Sequence, residues 1–248
     1  MTIAEPSGEP TGRAGRTAVL VPAAGRGERL GPGAPKALRP LGGIPMLVHA
    51  VRALAASRTV DIVVIAAPED TVETVASMLA EQSFPAEVVV VTGGETRQDS
   101  VARALIALPD DVDVVLVHDA ARPLVPVEVV TAVVAAVRAG HDAVVPGLPV
   151  VDTIKQVDEA SDVVRTVDRT PLRAIQTPQG FRRSVLQQAH AVADLDEVPI
   201  TDDAGLVERL GVAVHVIRGH EEAFKVTRPF DIVMAEAVLA RRRAAGAV

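Results

Sequence analysis

A short glycine-rich stretch near the start of the chain, followed by two basic side chains, is suited to phosphate chemistry. Ala23, Ala24 and Gly25 come directly after an apolar run, and Arg29 and Lys36 come after them. Small residues let a backbone approach a ligand closely, and backbone N–H groups outside regular structure can face phosphate oxygens. The charges of Arg29 and Lys36 would then meet those of the phosphates. Taken alone, the stretch is explained equally well by an ordinary strand-to-loop turn with solvated charges.

Two better-known phosphate loops are excluded by the same residues. A P-loop ends in Gly-Lys-Ser or Gly-Lys-Thr, and no such triplet follows here. The dinucleotide-binding fingerprint needs a third glycine, but Leu30 occupies that place after Gly25 and Gly27.

Asp119 is the best candidate for a metal ligand. It lies in the stretch 118–123, His-Asp-Ala-Ala-Arg-Pro, directly after an apolar run. Magnesium keeps much of its water and often takes only one or two protein carboxylates together with substrate phosphates. An ion pair with Arg122 explains Asp119 nearly as well. A zinc site is not indicated, because the chain has no cysteine and its six histidines show no metal-binding spacing.

The first loop and Asp119 are positioned by the secondary structure around them. Along the chain, short β-branched runs alternate with longer amphipathic stretches. The alternation predicts parallel strands joined by helical crossovers, hence an α/β fold with a three-layer, Rossmann-like and mostly parallel sheet. In such sheets ligands bind beyond the carboxyl ends of the strands, where the first loop, Gly93-Gly94 and Asp119 would all lie. Strands are predicted at 18–21, 62–66, 87–91, 114–118 and 143–145, and helices near 46–56, 70–80, 97–108 and 127–139.

The α/β pattern is interrupted by a predicted antiparallel hairpin. Residues 149–157 and 163–169 alternate with period two, and the polar residues 158–162 between them favour a turn. A two-stranded arm is marginally stable alone, so we expect it to pack on something else, such as a second subunit. Helix and strand patterns resume at 184–193, 203–210, 213–217 and 230–243.

Composition narrows the class of protein. The 248 residues are 48% hydrophobic, enough for a large core, and the formal net charge of −7 argues against broad nucleic-acid binding. No apolar run approaches the roughly 20 residues that cross a bilayer, and residues 1–16 lack the apolar region of a signal peptide. We therefore predict a cytoplasmic protein without a membrane partner, with residues 1–16 as a disordered tail.

Further motifs follow the first loop in order along the chain. They are Gly93-Gly94-x-x-Arg97-x-Asp99-Ser100, the stretch 117–123, Asp152-Thr153-Ile154-Lys155, Thr166–Arg169, Gln176–Gln179, Thr201–Ala204 and Lys225–Thr227. The first loop is similar to the signature of nucleotidyltransferases that activate sugar and polyol phosphates. The whole set resembles the 2-C-methyl-D-erythritol 4-phosphate cytidylyltransferases of the non-mevalonate isoprenoid pathway, from Val19 to about Glu236.

The resemblance implies that CTP and methylerythritol phosphate are the substrates, that Mg²⁺ is the cofactor, and that two chains share their arms in a homodimer. Arg29 and Lys36 would stabilise the transition state at the triphosphate, and Arg169 and Lys225 would hold the attacking phosphate. The nucleotide pocket would contain Ala23, Ala24, Gly25, Gly94, Glu95, Ser100, Asp119 and Ala120. The methylerythritol site would contain Asp119, Arg122, Thr153, Arg169, Thr177, Thr201 and Lys225, and Asp119 would also bind the metal.

Two positions depart from the family pattern. Glu95 follows the double glycine where the family often has aspartate, and Glu28 stands where a second arginine often precedes Arg29. A cytidylyltransferase for ribitol phosphate or another polyol phosphate, or an inert CTP-binding module, would share the same first loop. The domain prediction is a single nucleotidyltransferase domain over residues 17–243, with 149–170 as a protruding dimerisation arm.

Overall fold

The computed structural model describes residues 15–23, 35–192 and 201–246. Twelve strands, seven α-helices and two short 3₁₀ helices occur in this part of the chain. The strands are β1 (Arg16–Pro22), β2 (Pro40–Leu41), β3 (Ile44–Pro45), β4 (Ile62–Ala67), β5 (Glu87–Thr92), β6 (Val112–Val117), β7 (Ala143–Pro149), β8 (Ile154–Val157), β9 (Val163–Val167), β10 (Arg173–Ile175), β11 (Gln179–Arg182) and β12 (Val214–Arg218). The helices are α1 (Met46–Ala55), α2 (Val72–Ala80), α3 (Arg97–Ile106), α4 (Val127–Arg138), α5 (Arg183–Ala191), α6 (Asp203–Arg209) and α7 (Pro229–Ala244).

The central sheet has eight strands in the order β10-β7-β11-β6-β1-β4-β5, and β12 pairs with β7. The pairs of β1 with β4 and β6, of β4 with β5, and of β7 with β12 are parallel. Strand β11 lies antiparallel between β6 and β7. The prediction of a mostly parallel sheet is therefore confirmed.

Helices cover both faces of this sheet, which explains why β1 and β4 at its centre contain continuous apolar runs. Successive side chains of a strand point to opposite faces. Val19 and Val21 accordingly belong to one core cluster with residues of α1, α2 and α4, whereas Ala18 and Leu20 belong to another with residues of α3, α5 and α6. Alternate side chains of β1 therefore pack against the helices on opposite faces of the sheet, which gives the three layers.

Strands β10 and β11 were not predicted. The sequence of β11, Gln-Gly-Phe-Arg, has a single large apolar side chain and no clear period. Phe181 is fully buried between the sheet and the helices, and an added Cβ at Gly180 would lie 2.4 Å from Val133 Cγ1. Tertiary packing against α4, rather than local preference, therefore defines this strand.

The hairpin exists, but its first strand begins later than predicted. Strand β7 continues to Pro149, because Gly147, Leu148 and Pro149 pair with β10. The hairpin itself consists of β8 and β9, which form a separate two-stranded sheet. Its valines are largely exposed, at 51% for Val157 and 59% for both Val163 and Val164.

Helix α7 packs on a third, smaller cluster beside the sheet. Leu41, Met46, Leu124 and Val226 contact Ala235 and Leu239 of this helix. The guanidinium of Arg242 donates to the carbonyl oxygen of Leu124 and to the Glu222 carboxylate. The chain around Val226 is thereby held against the edge where β6 ends. None of the helices formed by residues 35–192 and 201–246 is both long enough and apolar enough to cross a membrane.

Candidate active site

A cavity of about 240 Å³ opens at the carboxyl ends of β1, β5 and β6. The turn from β5 to α3 forms one wall, and the residues directly after β6 form another. Many of the residues predicted from the sequence to form the nucleotide and substrate sites line it together. The lining residues are Pro22, Ala23, Lys36, Ala37, Glu95, Thr96, Arg97, Ser100, Asp119, Ala120, Ala121, Lys225 and Thr227.

Asp119 is surrounded by positive charge. Its Oδ2 lies 2.7 Å from Nζ of Lys225, and its Oδ1 lies 3.3 Å from Nε of Arg97. Arg122, the partner that the sequence suggested, is more distant, with Nε at 4.0 Å from Oδ2. Burial alone would raise the pKa of Asp119, but the charges of Arg97, Lys225 and Arg122 outweigh it and hold the pKa well below its usual range. The carboxylate is therefore ionised throughout the physiological range.

The backbone next to Lys225 is fixed from two directions. Val226 N–H donates to the carbonyl oxygen of Ala121 at 2.8 Å, and Nη1 of Arg122 donates to the carbonyl oxygen of Ala223 at 2.7 Å. Upstream, the Gln176 amide both donates to and accepts from the backbone of His220. Arg122 was predicted to bind substrate; its side chain is 12% exposed here and braces the Lys225 segment.

A buried hydrogen-bond chain fixes the backbone of Asp119. Asp119 N–H donates to Oγ1 of Thr177 at 3.0 Å, and the same oxygen lies 3.1 Å from Nδ1 of His118. Nε2 of His118 lies 3.1 Å from the carbonyl oxygen of Arg122. A carbonyl only accepts, so Nε2 carries the proton and Nδ1 accepts from the Thr177 hydroxyl. Burial lowers the pKa of His118 to about 4, in agreement with this neutral tautomer.

The turn from β5 to α3 is shaped by its own side chains. Thr96 caps α3 by accepting from Asp99 N–H, and the Asp99 carboxylate accepts from Thr96 N–H in return, which is a capping box. Gly94 N–H donates to Oγ of Ser100 at 3.1 Å. A Cβ at Gly94 would lie 2.1 Å from Cβ of Asp99, so this position requires glycine for packing within the turn. The proposed contacts of Gly94 and Ser100 with a nucleotide stay predictions.

Several predicted site residues lie outside the cavity. Thr153 and Arg169 belong to the exposed arm segment, where the Arg169 guanidinium donates to the carbonyl oxygen of Val151. Thr201 is exposed at the start of the α6 segment, and Thr177 is buried behind Asp119. Ala24, Gly25 and Arg29 fall outside the described residues.

Arg97 is the main functional candidate that sequence reasoning missed. The sequence motif that begins at Gly93 contains Arg97 but assigns it no role, whereas in the structure Arg97 lines the cavity and contacts Asp119. Its position as the first residue of α3, at the end of the turn that follows β5, was a usable signal. Thr227 lines the cavity as well and was likewise only part of a motif.

The predicted metal role of Asp119 does not fit this arrangement. Both of its carboxylate oxygens face cationic groups, so a directly bound Mg²⁺ would have to replace Lys225 or Arg97. Within residues 15–23, 35–192 and 201–246, no group of three or more histidine, aspartate or glutamate side chains is arranged to hold a metal ion. What the cavity offers instead is a set of cations suited to phosphate oxygens.

Comparisons with known proteins agree with these features. Residues 17–241 match the family described as IspD, 2-C-methyl-D-erythritol 4-phosphate cytidylyltransferase. A Streptomyces coelicolor protein of that name is 60% identical over 236 residues, which are 92% of this chain and 86% of that protein. The crystal structure of the Thermus thermophilus enzyme of that name is 40% identical with a TM-score of 0.73, over 91% of this chain and 99% of that one.

A second solved structure extends the likeness to a more distant sequence. It is the 4-diphosphocytidyl-2C-methyl-D-erythritol synthase of Anaerococcus prevotii, which is 26% identical. Its TM-score is 0.80, and the likeness covers 92% of this chain and 100% of that one. The motifs, the fold and these relatives lead to one assignment. The chain belongs to the 2-C-methyl-D-erythritol 4-phosphate cytidylyltransferase family.

Proposed function

We propose that this chain transfers the cytidylyl group of CTP to 2-C-methyl-D-erythritol 4-phosphate. A phosphate oxygen of the second substrate attacks the α-phosphorus of CTP and forms a new P–O bond. The bond from the α-phosphorus to the oxygen that bridges to the β-phosphate breaks, and its electron pair leaves on pyrophosphate. The other product is 4-diphosphocytidyl-2-C-methyl-D-erythritol. Such a transfer depends on positioning and charge stabilisation rather than on covalent help from the protein.

The single observation that carries this proposal is that Lys36 and Lys225 line one cavity at the carboxyl ends of the strands. Lys36 begins a short 3₁₀ helix, 36–38, in the segment after β1, and Lys225 comes from the segment before α7. Two cations that approach from different segments can hold two different phosphate groups. We assign Lys36, with Arg29, to the triphosphate and Lys225, with Arg169, to the attacking phosphate.

Asp119 has a different role in this proposal. Its carboxylate accepts from Lys225 and Arg97, so it orients both cations toward the cavity. It also offsets part of their mutual repulsion before the phosphates arrive. When substrate phosphates bind, the excess positive charge around the cavity remains available to them. Hydroxyl groups of the methylerythritol chain are further candidates for contact with the same carboxylate.

We propose that Mg²⁺ reaches the site as part of the substrate, bound by the triphosphate oxygens of CTP. Magnesium commonly binds in this way, with few protein ligands and several retained waters. This replaces direct coordination by Asp119, whose oxygens face Lys225 and Arg97.

We further propose a homodimer in which the arm, residues 149–170, reaches the partner's site. Exposed valines on the arm support this, with Val151 at 79% and Val163 and Val164 at 59%. Apolar side chains on a two-stranded arm gain stability when a symmetric partner covers them. Arg169 and Thr153 would then complete the site of the partner. We place the enzyme in the cytoplasm, where CTP is available.

Pyrophosphate release tests the proposed function directly. The purified chain is incubated with CTP, Mg²⁺ and a panel of polyol phosphates that includes methylerythritol phosphate and ribitol phosphate. We expect fast release with methylerythritol phosphate and slow release with the others. Preference for ribitol phosphate would assign the chain to the alternative substrate, and binding of CTP without release would indicate an inert module.

A further inference from the structure

A buried carboxylate outside the cavity, that of Asp203, holds one of the groups that line it. Asp203 is 1% exposed and is the first residue of α6. Its Oδ2 lies 2.6 Å from Nη1 of Arg97, and its Oδ1 lies 3.1 Å from Nε2 of His190. A carboxylate buried to this degree requires such partners. Burial raises its pKa, but the His190 bond and the charge of Arg97 keep the pKa below its ordinary value.

Arg97 connects Asp203 to the cavity. Its Nη1 faces Asp203, while its Nε lies 3.3 Å from Oδ1 of Asp119. A guanidinium is planar with donors in a rigid fork, so contact with one carboxylate limits how it can meet the other. Asp119 in turn lies 2.7 Å from Lys225. The contacts form one chain, Asp203–Arg97–Asp119–Lys225, that runs from α6 into the cavity.

We propose that Asp203 is a positioning residue for cytidylyl transfer, because it fixes Arg97 and, through Arg97, the pair of Asp119 and Lys225. This inference rests on the proposed function. Without the negative charge of Asp203, the Arg97 guanidinium is free to turn toward Asp119 or toward phosphates that enter the cavity. Lys225 would then lose the fixed geometry at which it meets the attacking phosphate. The loss should appear mainly in kcat, because the CTP contacts assigned to Lys36 do not depend on the ionic contacts from Asp203 to Lys225.

The neighbouring Asp202 provides a matched control. Its carboxylate caps α6 by accepting from Gly205 N–H at 3.0 Å and accepts from Nε2 of Gln179 at 2.7 Å. These contacts are separate from those of Arg97. Asp202→Asn therefore makes the same chemical change one residue earlier in the sequence. It alters the start of α6 but leaves the ionic contacts from Asp203 to Lys225 in place.

The experiment measures kcat and KM for both substrates in Asp203→Asn, Asp202→Asn, Arg97→Gln and the Asp203→Asn/Arg97→Gln double variant. We expect Asp203→Asn to lower kcat about 10- to 100-fold, as misplaced reacting groups do, with little change in the KM for CTP. Asp202→Asn should stay within about two-fold of the natural chain. The double variant should be no slower than Arg97→Gln alone, because both changes remove the same connection.

Other outcomes separate this inference from the proposed function. Equal kcat values for Asp203→Asn and Asp202→Asn, or losses that multiply in the double variant, would overturn the positioning role. An unmodified chain that releases no pyrophosphate would contradict the proposed function instead. If Asp203→Asn does not fold, Arg97→Lys takes its place: it keeps the charge but lacks the rigid planar fork that holds Arg97 between Asp203 and Asp119. Full kcat in Arg97→Lys would overturn the inference, and a loss of about 10-fold or more would support it.

Discussion

The ammonium nitrogen of Lys225 lies 2.7 Å from Oδ2 of Asp119, which joins the segment before α7 to the end of β6. We predict that Asp119→Asn lowers kcat/KM for methylerythritol phosphate about 100-fold, because Lys225 loses its orienting charge. Steady-state kinetics at saturating CTP measure this. Asp113→Asn, an exposed carboxylate away from the cavity, serves as the control. Unchanged kinetics in Asp119→Asn would show that the ion pair has no part in turnover.

The same carboxylate gives a prediction for acid stability. The pKa of Asp119 is depressed in the folded chain, so its charge stabilises the fold above the unfolded pKa of about 4. This contribution is lost as the pH falls below about 4. Asp119→Asn should therefore flatten the stability curve in that acidic range. Urea unfolding at a series of pH values measures the slope, and an unchanged slope in the variant would contradict the assignment.

His118 gives a separate prediction at milder pH. Its pKa falls from an ordinary 6.5 to about 4, so folding favours the neutral ring. The stabilising contribution is complete above about pH 6.5 and is lost as the pH falls toward 4. The shift corresponds to about 3 kcal/mol. His118→Gln, which keeps an N–H near the Arg122 carbonyl, should be less stable at pH 7 but should lose less stability between pH 6.5 and 4.

Denaturant unfolding at pH 7, 5.5 and 4.5 measures the effect in the natural chain and in His118→Gln. His215→Gln is the control, because that ring is exposed at the sheet edge. Parallel curves for the natural chain and His118→Gln would show that His118 is not the group that titrates.

The layer architecture could be predicted because its signals are local. Residues 18–21 and 62–66 are continuous apolar runs, and such runs between amphipathic stretches are typical of strands covered on both faces. The carboxyl-end location of Lys36, Glu95 and Asp119 followed from topology alone. Strand β11 could not be predicted in this way, because its pairing with β6 and β7 depends on tertiary contacts.

The partners of Asp119 could not be read from spacing. Arg122 is three residues away in sequence, yet Arg97 and Lys225 are nearer in space. The chain crosses from the end of β5 toward β1, because α3, which begins at Arg97, packs on β4 and β1 as well as on β5. Arg97 therefore lies near the end of β6, where it contacts Asp119. No local pattern reports this crossing. The cationic groups around Asp119, which bear on its predicted metal role, are likewise not visible in the sequence.

We predict that Lys36→Ala and Arg29→Ala each lower kcat about 100- to 1,000-fold, with smaller changes in the KM for CTP. Both residues are assigned to the triphosphate, where negative charge grows on the leaving pyrophosphate during the transfer. Single-turnover and steady-state rates together measure this. Arg58→Ala removes an exposed cation elsewhere and should leave both constants unchanged. An effect on KM alone would mean that these side chains bind the ground state only.

The last prediction concerns the arm and the proposed homodimer. Chains with Lys36→Ala are co-expressed with chains that carry Arg169→Ala, and the mixed dimer is purified through two different tags. If Arg169 serves the partner's site, one site of the mixed dimer has both defects and the other has neither. About half of the natural activity per dimer should then return, provided that the two sites act independently.

A different result is expected if Arg169 serves the site of its own subunit. Each site of the mixed dimer would then have one defect, and the mixed dimer would be as slow as either parent.

The exposed valines of the arm allow a control on dimer assembly itself. Val163→Glu and Val164→Glu place charges where the partner would pack, at residues that are 59% exposed in the single chain. They should lower the dimer fraction in sedimentation and leave the fold unchanged. A dimer that persists in both variants would move the interface away from β9.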